Sequence, residues 1–179
     1  MNNTVVPEDP SSDDYKRVLA QMLNRLDTTK PVGTALCDAI MRLWPTPAFE
    51  AMVFRRSDRG GNEVFLRQRA MNDTAYPGQW HAPGKLYRHG EQDRDVANRL
   101  EEEFGTRIEK FDLVDKEITS EDRGTVHSHI FIVKLAGDPR IDDRHKWFPV
   151  SDLPSNTVNI HREIIIPKAA RVYWQYPRY

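Results

Sequence analysis

The 179-residue sequence holds 26 basic and 27 acidic residues, a formal net charge of -1. That balance excludes a global electrostatic pull toward nucleic acid or an anionic membrane, leaving only local patches. Hydrophobic residues at 39% and charged residues at 30% suit a globular chain rather than a disordered one, at a length that fits one domain with a small decoration.

The single cysteine, Cys37, allows no intrachain disulfide, and its neighbours Ala35, Leu36, Ala39 and Ile40 mark it as a core residue. No apolar run approaches the roughly 20 residues that a membrane span requires. The polar start, Met1 to Ser12, lacks the apolar segment of a secretory signal, so the cytoplasm is the expected location.

In chain order, Met1 to Ser12 reads as a lead-in broken by Pro7 and Pro10. Tyr15, Val18, Leu19, Met22 and Leu26 carry helical spacing over Asp13 to Asp27. A second helix is expected from Pro31 to Leu43, striped by Val32, Leu36, Ile40 and Leu43 and ended by Pro45 and Pro47. Residues 1–46 are therefore read as a lead-in and helical extension, and 47–179 as the main domain. Phe49 to Arg55 and Glu63 to Arg69 read as strands joined by the polar turn Ser57-Asp58-Arg59-Gly60-Gly61. An irregular stretch, Ala70 to Gly78, leads into Gln79-Trp80-His81-Ala82-Pro83-Gly84. Gln92 to Phe104 is a helix on the recurrence of Val96, Leu100 and Phe104, with Gly105 at its C-terminal cap. Strands are expected at Lys110 to Ile118, Val126 to Leu135 and Lys146 to Val150, then a helix from Asn159 to Tyr173, interrupted near Pro167. Strands around one central helix, with helices at both ends, give an α/β sandwich rather than a βαβ repeat.

Glu101, Glu102 and Glu103 are the densest acidic cluster. Adjacent carboxylates repel, and a divalent cation that takes oxygen ligands would relieve them; the bland alternative is a solvated helix face. The surroundings change that weighting. Trp80-His81-Ala82-Pro83-Gly84-Lys85-Leu86-Tyr87-Arg88-His89-Gly90-Glu91, followed by Asn98-Arg99-Leu100-Glu101-Glu102-Glu103-Phe104-Gly105, resembles the Nudix box, whose pattern is G-x5-E-x7-R-E-U-x-E-E-x-G-U with U aliphatic. The approach (Phe65 to Arg69, then Tyr76 to Trp80) and the exit (Trp147 to Pro154) are similar to the same MutT-like family, over about Phe49 to Tyr173.

The resemblance implies a Nudix-type α/β/α sandwich with a mixed sheet and an N-terminal helical extension. It implies metal-dependent hydrolysis of the diphosphate in a nucleoside diphosphate linked to another moiety, with Mg²⁺ (or Mn²⁺) as cofactor. Glu103 is the expected catalytic residue; Glu102, Glu103 and Glu91 are the expected metal ligands; Arg69, Arg99 and Lys85 are expected to hold phosphate. Partners are then a small-molecule nucleotide derivative and, following the family's habit, a second copy of the chain, with no membrane and no specific nucleic acid.

The box departs from the pattern at its centre. Aligned back from Gly105, Asn98 replaces the arginine and Arg99 the first glutamate; a second register keeps Glu91-x7-Arg99 and puts Leu100 at that glutamate. Either way the first glutamate is absent, and Arg99 can pair with acids three or four residues along the helix. The water-activating group is unassigned, with Glu121, Asp122, Asp142, Asp143, His127 and His129 as candidates outside the box. Loss of the first glutamate supports the alternative of a catalytically inactive nucleotide- or phosphate-binding module, and the N-terminal helices suggest a third, a protein-interaction domain.

Overall fold

A computed structural model describes residues 7–57, 60–121 and 123–175. Asp58, Arg59, Asp122 and the first six residues of the lead-in lie outside the described residues. Two compact units are separated, Met1–Gly33 and Thr34–Tyr179.

The smaller unit carries α1 (Asp13–Leu23). Ser12 caps it, its hydroxyl accepting from the Tyr15 amide at 3.2 Å, and Asp13 and Asp14 complement the positive end of the helix dipole. The helix stops at Leu23, short of the expected Asp27: the Asn24 amide still reaches the Ala20 carbonyl, but those of Arg25 and Leu26 bond only three residues back, to Met22 and Leu23.

The larger unit begins with α2 (Thr34–Leu43) and continues through β1 (Thr46–Met52), β2 (Phe54–Arg56), β3 (Asn62–Gln68), β4 (Trp80–His81), β5 (Gly84–Leu86), α3 (Asp93–Phe104), β6 (Ile108–Glu121), β7 (Gly124–Leu135) and β8 (His145–Pro149), and closes with a π-helical turn (His161–Ile165) running into α4 (Ile166–Gln175). One sheet has the order β5-β1-β7-β6, with β1 and β7 parallel and the other pairs antiparallel. In the second, β2 and β4 follow one another along one edge of β3, and β8 pairs with the other edge. The fold is thus the expected α/β arrangement with a mixed sheet.

Strand alternation sorts the core into two layers. Phe49, Ala51 and Val53 join Phe131, Val133 and the α3 residues Val96, Ala97, Leu100 and Phe104. Met52 and Phe54 turn the other way, onto Ile130, Ile132 and the closing helix through Ile165, Ile166, Ala169 and Ala170. The box helix and the closing helix therefore cover opposite faces. Helix α3 is bounded by a reciprocal Gln92–Asp95 capping box and by Gly105 at φ 70°, whose amide donates to the Glu101 carbonyl.

Two short strands, β4 and β5, lie beyond the irregular stretch, in a segment where the sequence pattern predicts no element. Trp80 is gripped from both sides, by Gln68 of β3 and by the segment around Thr157, and Gly84 lies opposite Glu50 of β1. No helix among the described residues is long and apolar enough to cross a membrane.

Candidate functional site

The box lies on the α3 face. Lys85 is registered against Phe49, so its side chain points toward α3, where its ammonium pairs with Glu103. Arg67 of β3 reaches the other oxygen of that carboxylate at 2.9 Å. This second contact is ionic rather than a well-aimed hydrogen bond, since Glu103 Oε2 has no hydrogen-bond partner by angle. Two cations thus share one largely buried acid, and the trio carries a net charge of +1.

Arg99 does not turn toward Glu102 or Glu103, as helical spacing allows. Its guanidinium reaches back to Glu91 at 2.7 Å and donates to the Leu86 carbonyl at 2.8 Å, tying the box loop to the helix. Glu91 also accepts from the Arg88 amide at 2.7 Å. Glu101 accepts from the Ile108 amide at 2.9 Å, while Glu102 stands exposed. Of the three expected metal ligands, one is held by Lys85 and Arg67, one by Arg99, and one faces solvent. Among the described residues no group of three or more His, Cys, Asp or Glu side chains converges as metal ligands. As placed, these carboxylates do not fit a preassembled Mg²⁺ cage, which needs several free oxygens around one point.

A second polar cluster lies on the opposite face of β1. The row Glu50, Met52, Phe54 faces the closing helix and is apolar except at Glu50, 8% exposed. Ser128 of β7, registered against Ala48, lies one pair along on the same face, and its hydroxyl donates to Glu50 Oε1 at 3.5 Å. Across the pair with β5, Glu50 Oε2 fills the space that a side chain on Gly84 would need, only 2.5 Å from where its Cβ would lie. The box glycine therefore makes room for a buried acid.

His161, in the π turn, is the next neighbour. The Ala82 amide donates to its Nδ1 at 3.3 Å, which leaves the proton on Nε2, 3.9 Å from Glu50 Oε2. Burial, then the charges of Arg69 and Arg123, push the His161 pKa down to about 3, so the ring is neutral and the contact is not an ion pair. Burial, with the Glu121 charge adding to it, raises Glu50 to about 7 against the opposing pull of Arg123 and Arg69. His81 packs edge-on against His161 at 5.7 Å and is likewise held neutral, mainly by burial.

The rim of this cluster comes from the β3–β4 loop and the β6–β7 hairpin. Arg69 pairs with Asp73 at 2.8 Å, and Asp73 also accepts from the Ala75 and Tyr76 amides at 3.1 and 2.9 Å. The Tyr76 hydroxyl donates to Glu121 at 2.6 Å, and Arg123 sits 3.6 Å from the same carboxylate. The guanidiniums of Arg69 and Arg123 lie 5.6 and 5.7 Å from the Tyr76 ring centre. Arg69 and Glu121 thus belong to this second cluster, apart from the other expected site residues. Asp142 instead holds His145 at 2.7 Å and Arg140 at 3.2 Å, and Asp143 is exposed. His127 packs edge-on against His129, which in turn packs against Tyr87.

A match to the family described as NUDIX domain covers residues 45–167, more than half of the chain. The chain belongs to the NUDIX family. Solved Nudix structures similar to it share the fold at low identity. A MutT NUDIX hydrolase from Burkholderia pseudomallei is 24% identical with a TM-score of 0.56, covering 70% of this chain and 98% of its own. The NUDIX domain of Shewanella oneidensis NrtR, solved with ADP ribose, is 17% identical with a TM-score of 0.59, covering 86% and 97%. A C. elegans Ap4A hydrolase is 15% identical with a TM-score of 0.56, covering 73% and 99%. No curated protein matches the sequence.

Glu50, His81 and His161 escaped sequence reasoning. A signal existed for the first: Ala48 to Phe54 is nearly continuous apolar sequence, the mark of a strand buried on both faces, and an acid within it is a buried charge.

Proposed function

We propose that this Nudix domain binds the diphosphate of a nucleoside diphosphate derivative with side-chain cations in the place where other family members use a metal ion. The observation that carries this is the convergence of Lys85 and Arg67 on Glu103, which leaves a net positive charge beside the Pro83-Gly84 loop. Guanidinium and ammonium groups supply to phosphate oxygens the charge and hydrogen bonds that a cation would otherwise bring. The Arg69–Tyr76–Arg123 rim is a second cationic surface with polar contacts for an anionic ligand. The complex of the NrtR NUDIX domain with ADP ribose supports this ligand class.

The test is calorimetric titration of ADP-ribose and ADP, with EDTA in one series and Mg²⁺ in the other. Affinity is expected to persist in EDTA and to fall by about 10-fold or more in Lys85→Ala, the effect of losing one charge-assisted contact. Binding that appears only with Mg²⁺ or Mn²⁺ would sink the proposal.

Hydrolysis of the diphosphate is the second reading, and Glu50 favours it. A carboxyl raised to about 7 beside the box glycine is poised to take a proton near neutral pH, as a general base must. Release of phosphate or nucleoside monophosphate, abolished in both Glu103→Gln and Glu50→Gln, would establish turnover. Intact binding with no product would leave the binding module.

A further inference from the structure

The family match begins at residue 45, yet α2, which precedes it, reaches both rims of the second polar cluster. On one side, Asp38 Oδ2 accepts from the Thr74 hydroxyl at 2.8 Å, fastening the β3–β4 loop that carries Asp73 and Tyr76. On the other, the C-terminal turn of α2 lies directly on the hairpin tip. A Cβ on Gly124 would stand 2.1 Å from the Met41 carbonyl oxygen and 2.8 Å from the Arg42 nitrogen. Met41 itself is 1% exposed, packed with Ala48 and Val126. The two rims then meet at the Tyr76–Glu121 hydrogen bond.

We infer that α2 is a positioning element of this second polar cluster: by holding the β3–β4 loop through Asp38–Thr74 and the hairpin through Gly124, it sets the spacing of Arg69, Tyr76 and Arg123 for an anionic nucleotide. This rests on the binding reading above. The arrangement has a mechanical logic. Arg69 follows β3 and Arg123 precedes β7, so neither strand alone fixes the distance between the two guanidiniums. Each is anchored locally, to Asp73 and Glu121; the two anchoring segments join at the Tyr76–Glu121 hydrogen bond, and α2 contacts both of them from outside that bond.

The experiment is titration of ADP into the full chain and into Asp38→Ala, Thr74→Val, and the conservative Asp38→Asn and Thr74→Ser, with thermal denaturation of each. The clasp is solvent-exposed, so melting temperatures are expected to stay within a few degrees of one another. ADP affinity is expected to fall about 5- to 10-fold in Asp38→Ala and Thr74→Val and to recover in the variants that keep a hydrogen-bonding atom in place. Equal affinity in all five proteins would overturn the role of α2 while leaving the binding reading intact. Absence of ADP binding by the unsubstituted chain would instead overturn the binding reading, and with it this inference.

Discussion

Gly124→Ala is expected to destabilise the larger unit by about 3 kcal/mol or more, with its melting temperature lowered by roughly 6–12 °C. Two penalties combine at this position. Gly124 has φ 139°, a conformation that L side chains rarely adopt. Its missing Cβ also leaves space for the Met41 carbonyl, 2.1 Å from where that carbon would be. The obstructing atoms are backbone, and no rotamer change can move them aside. Relief requires lifting the end of α2 from the hairpin, which strips cover from Met41 and Val126. Gly90→Ala is the matched control. Gly90 also has positive φ, 79°, but nothing lies within 4 Å of its Cβ position. That change should cost only the backbone strain, about 1–2 kcal/mol. Thermal denaturation of the two variants checks the contrast; equal losses would mean that α2 does not bear on the hairpin.

Glu50→Gln is expected to change how stability depends on pH. The folded pKa of about 7 lies above the ordinary carboxyl value of 4.5, so the folded state binds the extra proton between those limits. Stability from this group is fully present below pH 4.5 and is lost as pH rises through about 7, a span worth roughly 3 kcal/mol. His161 acts in the opposite sense. Its folded pKa of about 3 lies below the usual 6.5, so its contribution is present above pH 6.5 and is lost as pH falls toward 3. The two opposing slopes overlap between about pH 4.5 and 6.5, and Glu50 alone continues to weaken the fold up to about 7. Glutamine keeps the shape and a hydrogen-bond donor without the charge. At pH 8 the variant should therefore be more stable than the unsubstituted protein, and at pH 4.5 the two should be nearly equal. Parallel stability curves from pH 4.5 to 8 would show that Glu50 titrates normally.

The readable parts of this chain were those with strong periodicity. Helix α3 follows from Val96, Leu100 and Phe104 and from Gly105 behind them, and all three apolar residues are fully buried. The same spacing turns Glu102 and Glu103 toward a flank or the far side of the helix, but it cannot foresee where each carboxylate finds a partner. Arg99 illustrates the limit: helix geometry offers it Glu102 and Glu103, while the β5–α3 loop folds Glu91 within 2.7 Å. Strands β4 and β5, of two and three residues, are too short to show alternation, and their existence depends on β3 and β1 lying alongside. The second polar cluster is assembled from β1, β4, the hairpin and the π turn, segments up to 111 residues apart in sequence between Glu50 and His161. No local window could hold such a set.

The π turn before α4 has its own consequence. Closing a ring from the Ile166 amide to the His161 carbonyl inserts one residue beyond the α-helical count, just before Pro167. Upstream of that extra residue the helix shows His161 to Ala82 and Glu50; downstream it shows Ile166, Ala169 and Ala170 to the hydrocarbon layer. The turn acts as a vernier between two faces that a uniform helix would hold in fixed phase. Deleting one residue from 162–164 would restore ordinary winding and rotate His161 by about 100° relative to α4. The apolar stripe could stay seated while the imidazole left the acid, so insertions and deletions here would tune the buried polar cluster without remodelling the core.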